Sequence, residues 1–173
     1  LLLKKACVKN HIKKFLIMSD YMDLSFQWYT NGIKTIRPNG NITLRQLINA
    51  IISPKPEMIE AFKLIQEAGA IGDKAEKDRL KAEKLFFTTP SAIFDPIRNY
   101  ESIKEFRPFG IFEYDNIADC EELRDYIFTK RKDCIFAFCS PSFTGSKFIF
   151  LFGEIPKSIE HYKKLWFGIA HDL

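Results

Sequence analysis

Residues 108–115 read PFGIFEYD, 119–129 DCEELRDYIFT, 134–139 CIFAFC and 147–152 KFIFLF, and this run decides the fold. The apolar stretch 108–114 predicts a buried strand that ends in Asp115-Asn116. In 119–129, Leu123, Tyr126 and Ile127 fall at helical spacing and predict an amphipathic helix with those residues inward. The stretches 134–139 and 147–152 predict two more strands, joined as a hairpin by the polar turn 140–146. Pro156 then opens a final helix that contains Tyr162, Leu165, Trp166 and Ile169. Strand, helix, strand, strand, helix is half of a split β-α-β unit. The expected class is therefore α+β: a ferredoxin-like or RRM-like split β-α-β sheet with helices packed on one face, preceded by an N-terminal hairpin and helices.

Upstream of that run, 24–29 (LSFQWY) alternates and is β-rich, and Asn31-Gly32 is a strong turn signal before 33–36. A hairpin of 24–29 with 33–36 follows. Thr43 is a good N-cap for a helix over 44–52. Pro54 and Pro56 end that helix and begin another, with Met58, Ile59, Phe62 and Ile65 on one face and Gly69 and Gly72 at its close. Residues 73–84 interleave acids and bases, which predicts a solvated helix. The stretch 85–89 predicts a strand, followed by a Pro-punctuated loop and a short helix over 99–106. Residues 18–173 carry no repeat and no composition break, so one domain is expected. Residues 1–17 form a basic extension (Lys4, Lys5, Lys9, Lys13 and Lys14, no acid), either a true basic helix or sequence that precedes a natural start at Met18.

The composition, 46% hydrophobic and 28% charged over 173 residues, is that of a folded domain rather than a disordered chain. A net charge of +4 and a pI near 8.8 suit a polyanionic partner. The lysines of the extension account for that excess, so bulk charge says little about the domain itself. The 17 Phe suit core packing, with base stacking as the other use. The four cysteines form no C-x-x-C pair, which argues against structural zinc and for free thiols in a reducing, cytoplasmic setting. No apolar run approaches the roughly 20 residues of a membrane helix, so no membrane partner is expected.

Two short motifs could carry chemistry. Glu113 and Asp115 are two apart at a strand end, so both side chains lie on one face. Like charges so placed suit a hard divalent cation, which takes one or two carboxylates together with phosphate oxygens. The plainer alternative is an acidic strand end that leads into the next helix. Residues 140–147 (SPSFTGSK) offer Ser140 and Ser142 hydroxyls, backbone N–H groups around Gly145 and the Lys147 charge, a set suited to phosphate. The plainer alternative here is a polar β-turn; the spacing is not that of a Walker A loop. Arg124, Lys130, Arg131 and Lys132 form a basic edge suited either to a template strand or to the negative end of a helix dipole.

The order Phe-Glu-Tyr-Asp, helix, apolar strand, Ser-Pro-Ser-x-x-Gly-x-Lys resembles the VirE N-terminal-type domain, a divergent branch of the archaeo-eukaryotic primase–polymerase superfamily found in mobile elements and phages beside helicase domains. The usual pattern there is an hhDhD strand followed by S-P-S-G-x-G-x-K. Residues 89–94 (TPSAIF) also resemble that family's Thr-x-Ser-x-x-Phe lead-in. The resemblance implies Mg²⁺ or Mn²⁺ on Glu113 and Asp115 as the catalytic, metal-binding carboxylates. It also implies a triphosphate held by Ser140, Ser142, Gly145 and Lys147. The implied partners are nucleotides, single-stranded DNA or RNA, and a helicase domain or protein. Glu113 stands where the pattern has Asp, and Phe143 where it has Gly. The superfamily's third acid lies on a later strand, expected beyond residue 173, so that the domain is expected to be truncated. Those departures leave a second expectation open: a non-catalytic module that binds single-stranded nucleic acid or a replication partner.

Overall fold

A computed structural model describes residues 19–173; the basic extension and Met18 lie outside the described residues. The order is α1 (Ser19–Met22), β1 (Ser25–Tyr29), β2 (Gly40–Thr43), α2 (Leu44–Ile52), α3 (Pro56–Ala70), α4 (Lys74–Lys84), β3 (Phe87–Thr89), β4 (Ala92–Phe94), β5 (Ile103–Phe106), β6 (Phe109–Asp115), α5 (Cys120–Lys130), β7 (Cys134–Cys139), β8 (Gly145–Leu151) and α6 (Ile159–His171). The class is mixed α+β, with three small antiparallel sheets ordered β2-β1-β3, β4-β5 and β6-β8-β7. Among the described residues no helix is long and apolar enough to cross a membrane.

In the third sheet β8 lies between β6 and β7 and pairs antiparallel with each, so β6 and β7 run the same way without touching. Alternation along β8 sends Phe148 and Phe150 to one face and Ile149 and Leu151 to the other. The first face packs Phe112, Phe148 and Phe150 against Ile127 and Phe128 of α5 and Trp166 and Ile169 of α6. Trp166 stacks on Phe112 (ring centroids 4.7 Å, 10° between planes) and its Nε1 donates to the Ile111 carbonyl at 3.1 Å.

The second face is covered as well, which corrects the expected arrangement of helices on one face only. Phe109, Ile135, Phe136 and Ile149 pack there against Phe26 of β1 and Leu44, Leu47 and Ile48 of α2. A bulge in β7 between Cys134 and Phe136 lets consecutive Ile135 and Phe136 both enter this layer. A second helix could face this side because Thr43 caps α2 reciprocally. Its Oγ1 accepts from Gln46 N at 3.2 Å, and the Gln46 side chain accepts from Thr43 N at 2.9 Å.

The expected hairpin of 24–29 with 33–36 does not form, and β1 pairs instead with β2 and β3. Asn31 and Gly32 do turn, both at positive φ (61° and 82°). The chain then folds back on itself through Thr35 N to Gly32 O at 3.0 Å, and the Arg98 guanidinium takes the carbonyls of Ile33 and Thr35. Both edges of β1 are already occupied, so 33–36 finds its backbone partners at Arg98.

Residues 103–106 are strand, not the end of a helix over 99–106. The Asn99 side chain closes a turn by accepting from Ser102 N at 2.7 Å, and β4 supplies a strand partner. Tyr126 and Ile59, expected inward on their helices, are 61% and 43% exposed; Phe128 and Ala61 take those inward places.

Buried Gln27 joins the first two sheets. Its Nε2 donates to Phe94 O at 2.7 Å, and its Oε1 accepts from Phe94 N at 2.9 Å and from the Tyr29 hydroxyl at 3.1 Å. Replacing it would strand three polar groups, each wholly or partly buried. Gln27→Leu is expected to cost about 2–4 kcal/mol in urea unfolding, whereas Thr43→Ala, which removes only a cap, is expected to cost about 1 kcal/mol.

Candidate functional site

The β6–β8 register sets the geometry of the candidate site. Glu113 lies opposite Lys147 and Asp115 opposite Gly145. The acid pair and the end of the serine loop therefore share one corner of the sheet. This comes about because β6 neighbours β8, not β7.

At Gly145 the backbone of the facing strand comes close. A Cβ there would stand 2.4 Å from Tyr114 O and 2.9 Å from an Asp115 carboxylate oxygen, so no side chain fits. The loop closes through Ser140 N to Gly145 O (2.8 Å) and Phe143 N to Ser140 O (2.9 Å). It is tied to the β6–α5 turn by Ile117 N to Thr144 O at 3.1 Å.

Phe143 holds a φ of +55° and is 43% exposed. An L side chain is disfavoured there. Phe109, Phe112, Phe148 and Phe150 are buried, and among the described residues Phe143 and Phe167 are the exposed phenylalanines.

The loop hydroxyls face one another. Ser140 and Ser142 Oγ are 3.2 Å apart, and Ser142 Oγ and Thr144 Oγ1 2.9 Å apart. Ser146, fully buried, donates to Cys120 O at 2.6 Å and anchors α5 to β8. Its role is structural. Glu113 accepts a hydrogen bond from Lys147 across the strands, so the cation nearest to this carboxylate is a lysine of the same site. Burial, and then the charge of Lys81, hold Lys147 below the ordinary lysine range.

Two carboxylates on one face are a donor set suited to Mg²⁺ or Mn²⁺, which keep several waters and complete their shell with phosphate oxygens. Glu113 and Asp115 offer that set. Among the described residues no group of three or more His, Cys, Asp or Glu could hold a metal ion. The basic edge of α5 is largely engaged: Arg124 chelates Asp125, and Arg131 chelates Asp133 at 2.8–2.9 Å while lying over the Phe150 ring. Burial pushes the Cys139 thiol up to about 12, with the Cys120 thiol against it adding to the effect. That is the opposite of what a cysteine nucleophile needs.

One residue that no motif in the sequence marks reaches this corner, and a second acts on Lys147 through its charge. Gln66 of α3 donates to Pro141 O at 3.1 Å and so docks the α3–α4 pair on the serine loop. Lys81 of α4 comes within electrostatic reach of Lys147. Lys81 sits in a run of alternating charges that reads as a solvated helix face, so only the tertiary fold distinguishes it from its neighbours. In comparisons with known proteins, the chain matches no family model, no curated protein and no solved structure.

Two glycine exchanges in this loop should have opposite effects. Gly145→Ala forces a methyl group against backbone and is expected to cost about 1–3 kcal/mol. Phe143→Gly removes a side chain from left-handed backbone and is expected to leave stability equal or higher by up to about 1 kcal/mol. Chemical denaturation of both variants measures the contrast.

Proposed function

We propose that this chain is the N-terminal part of a primase–polymerase-like domain, and that the corner formed by β6, β8 and the serine loop binds a nucleotide's phosphates together with Mg²⁺ or Mn²⁺. The observation that carries the reading is the register that sets Glu113 opposite Lys147 and Asp115 opposite Gly145. It joins two motifs separated by an intervening helix and strand. Glu113 and Asp115 would hold the ion. Lys147, the Gly145 backbone and the hydroxyls of Ser140 and Ser142 would meet the phosphates. The bound ion would supply charge neutralisation at the transferring phosphoryl group. The order β6-α5-β7-β8-α6, with β8 inserted between β6 and β7, supports treating this half as a split β-α-β unit of the ferredoxin-like type.

The test is calorimetric titration with a nucleoside triphosphate in the presence and absence of Mn²⁺. The intact chain is expected to bind only with the metal, and Asp115→Asn and Lys147→Ala are each expected to weaken binding by tenfold or more. Undiminished binding in both variants would overturn the assignment.

The Glu113–Lys147 pair favours a second reading, in which acid and lysine serve the sheet and the chain is a non-catalytic module for single-stranded nucleic acid. That reading predicts metal-independent binding to a single-stranded oligonucleotide that weakens steeply with salt.

A further inference from the structure

Phe143 stands apart from the other phenylalanines in two ways. Its ring is 43% exposed and makes no ring contact among the described residues; Phe167, exposed as well, packs edge-on against Trp166. Its backbone holds a φ of +55°, where a side chain is disfavoured and glycine is at ease. Neither burial nor backbone preference accounts for a phenylalanine at this place. Such strain persists where surrounding contacts over-determine the backbone, and it marks places where a side chain must be held for use. The contacts are present on both sides of Phe143. Its own N donates to Ser140 O at 2.9 Å, and Ser140 N donates to Gly145 O at 2.8 Å. Pro141 O accepts from the Gln66 side chain at 3.1 Å, and Thr144 O from Ile117 N at 3.1 Å. The ring is therefore presented from a loop anchored to α3 and to the β6–α5 turn. Phe143 lies two residues before Gly145, which faces Asp115 across the strands, so ring and acid pair belong to one corner.

We propose that Phe143 is a stacking platform for a nucleobase, set beside the corner that takes the phosphates. The inference rests on the nucleotide reading above and deepens it. Lys147, the Gly145 backbone, Glu113 and Asp115 serve the phosphates and the cation, and Phe143 serves the base. An exposed ring offers a π face that fits any base, so the contact tolerates base identity and selects a nucleotide over a bare phosphate chain. Because the loop is anchored before a ligand arrives, little freedom is lost when the base stacks.

The test uses the full chain and a nucleoside triphosphate whose base is 2-aminopurine, titrated with Mg²⁺ present. A single-stranded oligonucleotide carrying 2-aminopurine is titrated separately in EDTA. The fluorescence of this base falls when it stacks, so binding and stacking are read together. Phe143→Leu keeps the left-handed backbone and the apolar bulk but has no ring. It is expected to lose the quenching and to weaken binding about tenfold. Phe143→Tyr is expected to retain both. Phe143→Gly, at least as stable as the parent on the expectation above, should bind as weakly as Phe143→Leu, which separates lost stacking from misfolding. Tripolyphosphate with Mg²⁺ carries no base and is expected to bind the parent and all three variants alike. Loss in the nucleotide arm identifies the base of a free nucleotide as the ligand; loss in the oligonucleotide arm alone identifies that of a strand. Parent-like binding and quenching by Phe143→Leu and Phe143→Gly in both arms overturns the platform. Equal weakening of tripolyphosphate binding overturns it too, because the residue would then serve the phosphates. If metal-dependent nucleotide binding is still lost in Asp115→Asn, the nucleotide reading survives either result. A parent chain that binds none of the three probes overturns both.

Discussion

The antiparallel pairing of β6 with β8 is the interaction on which the rest of the structure depends. It runs from Phe109 opposite Leu151 to Asp115 opposite Gly145. β8 is the only strand that β6 and β7 share, so it alone makes them one sheet. The same alternation on β8 supplies both hydrophobic layers. Phe148 and Phe150 form the floor for α5 and α6, and Ile149 forms the floor for α2 and β1. A one-residue slip would exchange those faces and place Lys147 in the layer beneath α5. Gly145 permits the last pair of the register, since only a residue without a side chain fits against Tyr114 O and Asp115.

The register also determines the electrostatics of the corner. Glu113 and Lys147 are cross-strand partners, so these two charges meet each other. The serine hydroxyls behave likewise, each bonded to another hydroxyl of the loop. The Glu113–Lys147 pair is partly exposed and contributes little net stability, whereas the Ser140–Ser142 pair is buried. The helical pair α3–α4 adds a wall, fixed by Gln66, that the motifs do not mention.

Much of the second half was legible along the chain. Its three strands and both helices occur where the apolar runs place them, although the last helix opens at Ile159 behind the Ser158 cap and not at Pro156. Legibility failed where a local signal met a competitor from elsewhere in the fold. Asn31-Gly32 turns as its chemistry requires, yet 33–36 does not become a strand, because β2 and β3 already hold both edges of β1. Residues 103–106 could continue a helix locally and become a strand because β4 needs a partner. Tyr126 shares the helical spacing of Leu123 and Ile127, but α5 leans on the sheet through Ile127 and Phe128 instead.

The amino-acid sequence by itself determined which segments could be strands and helices, because period, capping residues and prolines act over a few residues. It also determined that Glu113 and Asp115 share a face, since alternation on a strand is local. Only the tertiary structure decided that β8 rather than β7 neighbours β6. Only it decided that Lys147 answers Glu113, and that Gln66 arrives at the serine loop. Those outcomes depend on which strand edges and helix faces bury together, a choice made by the whole core at once.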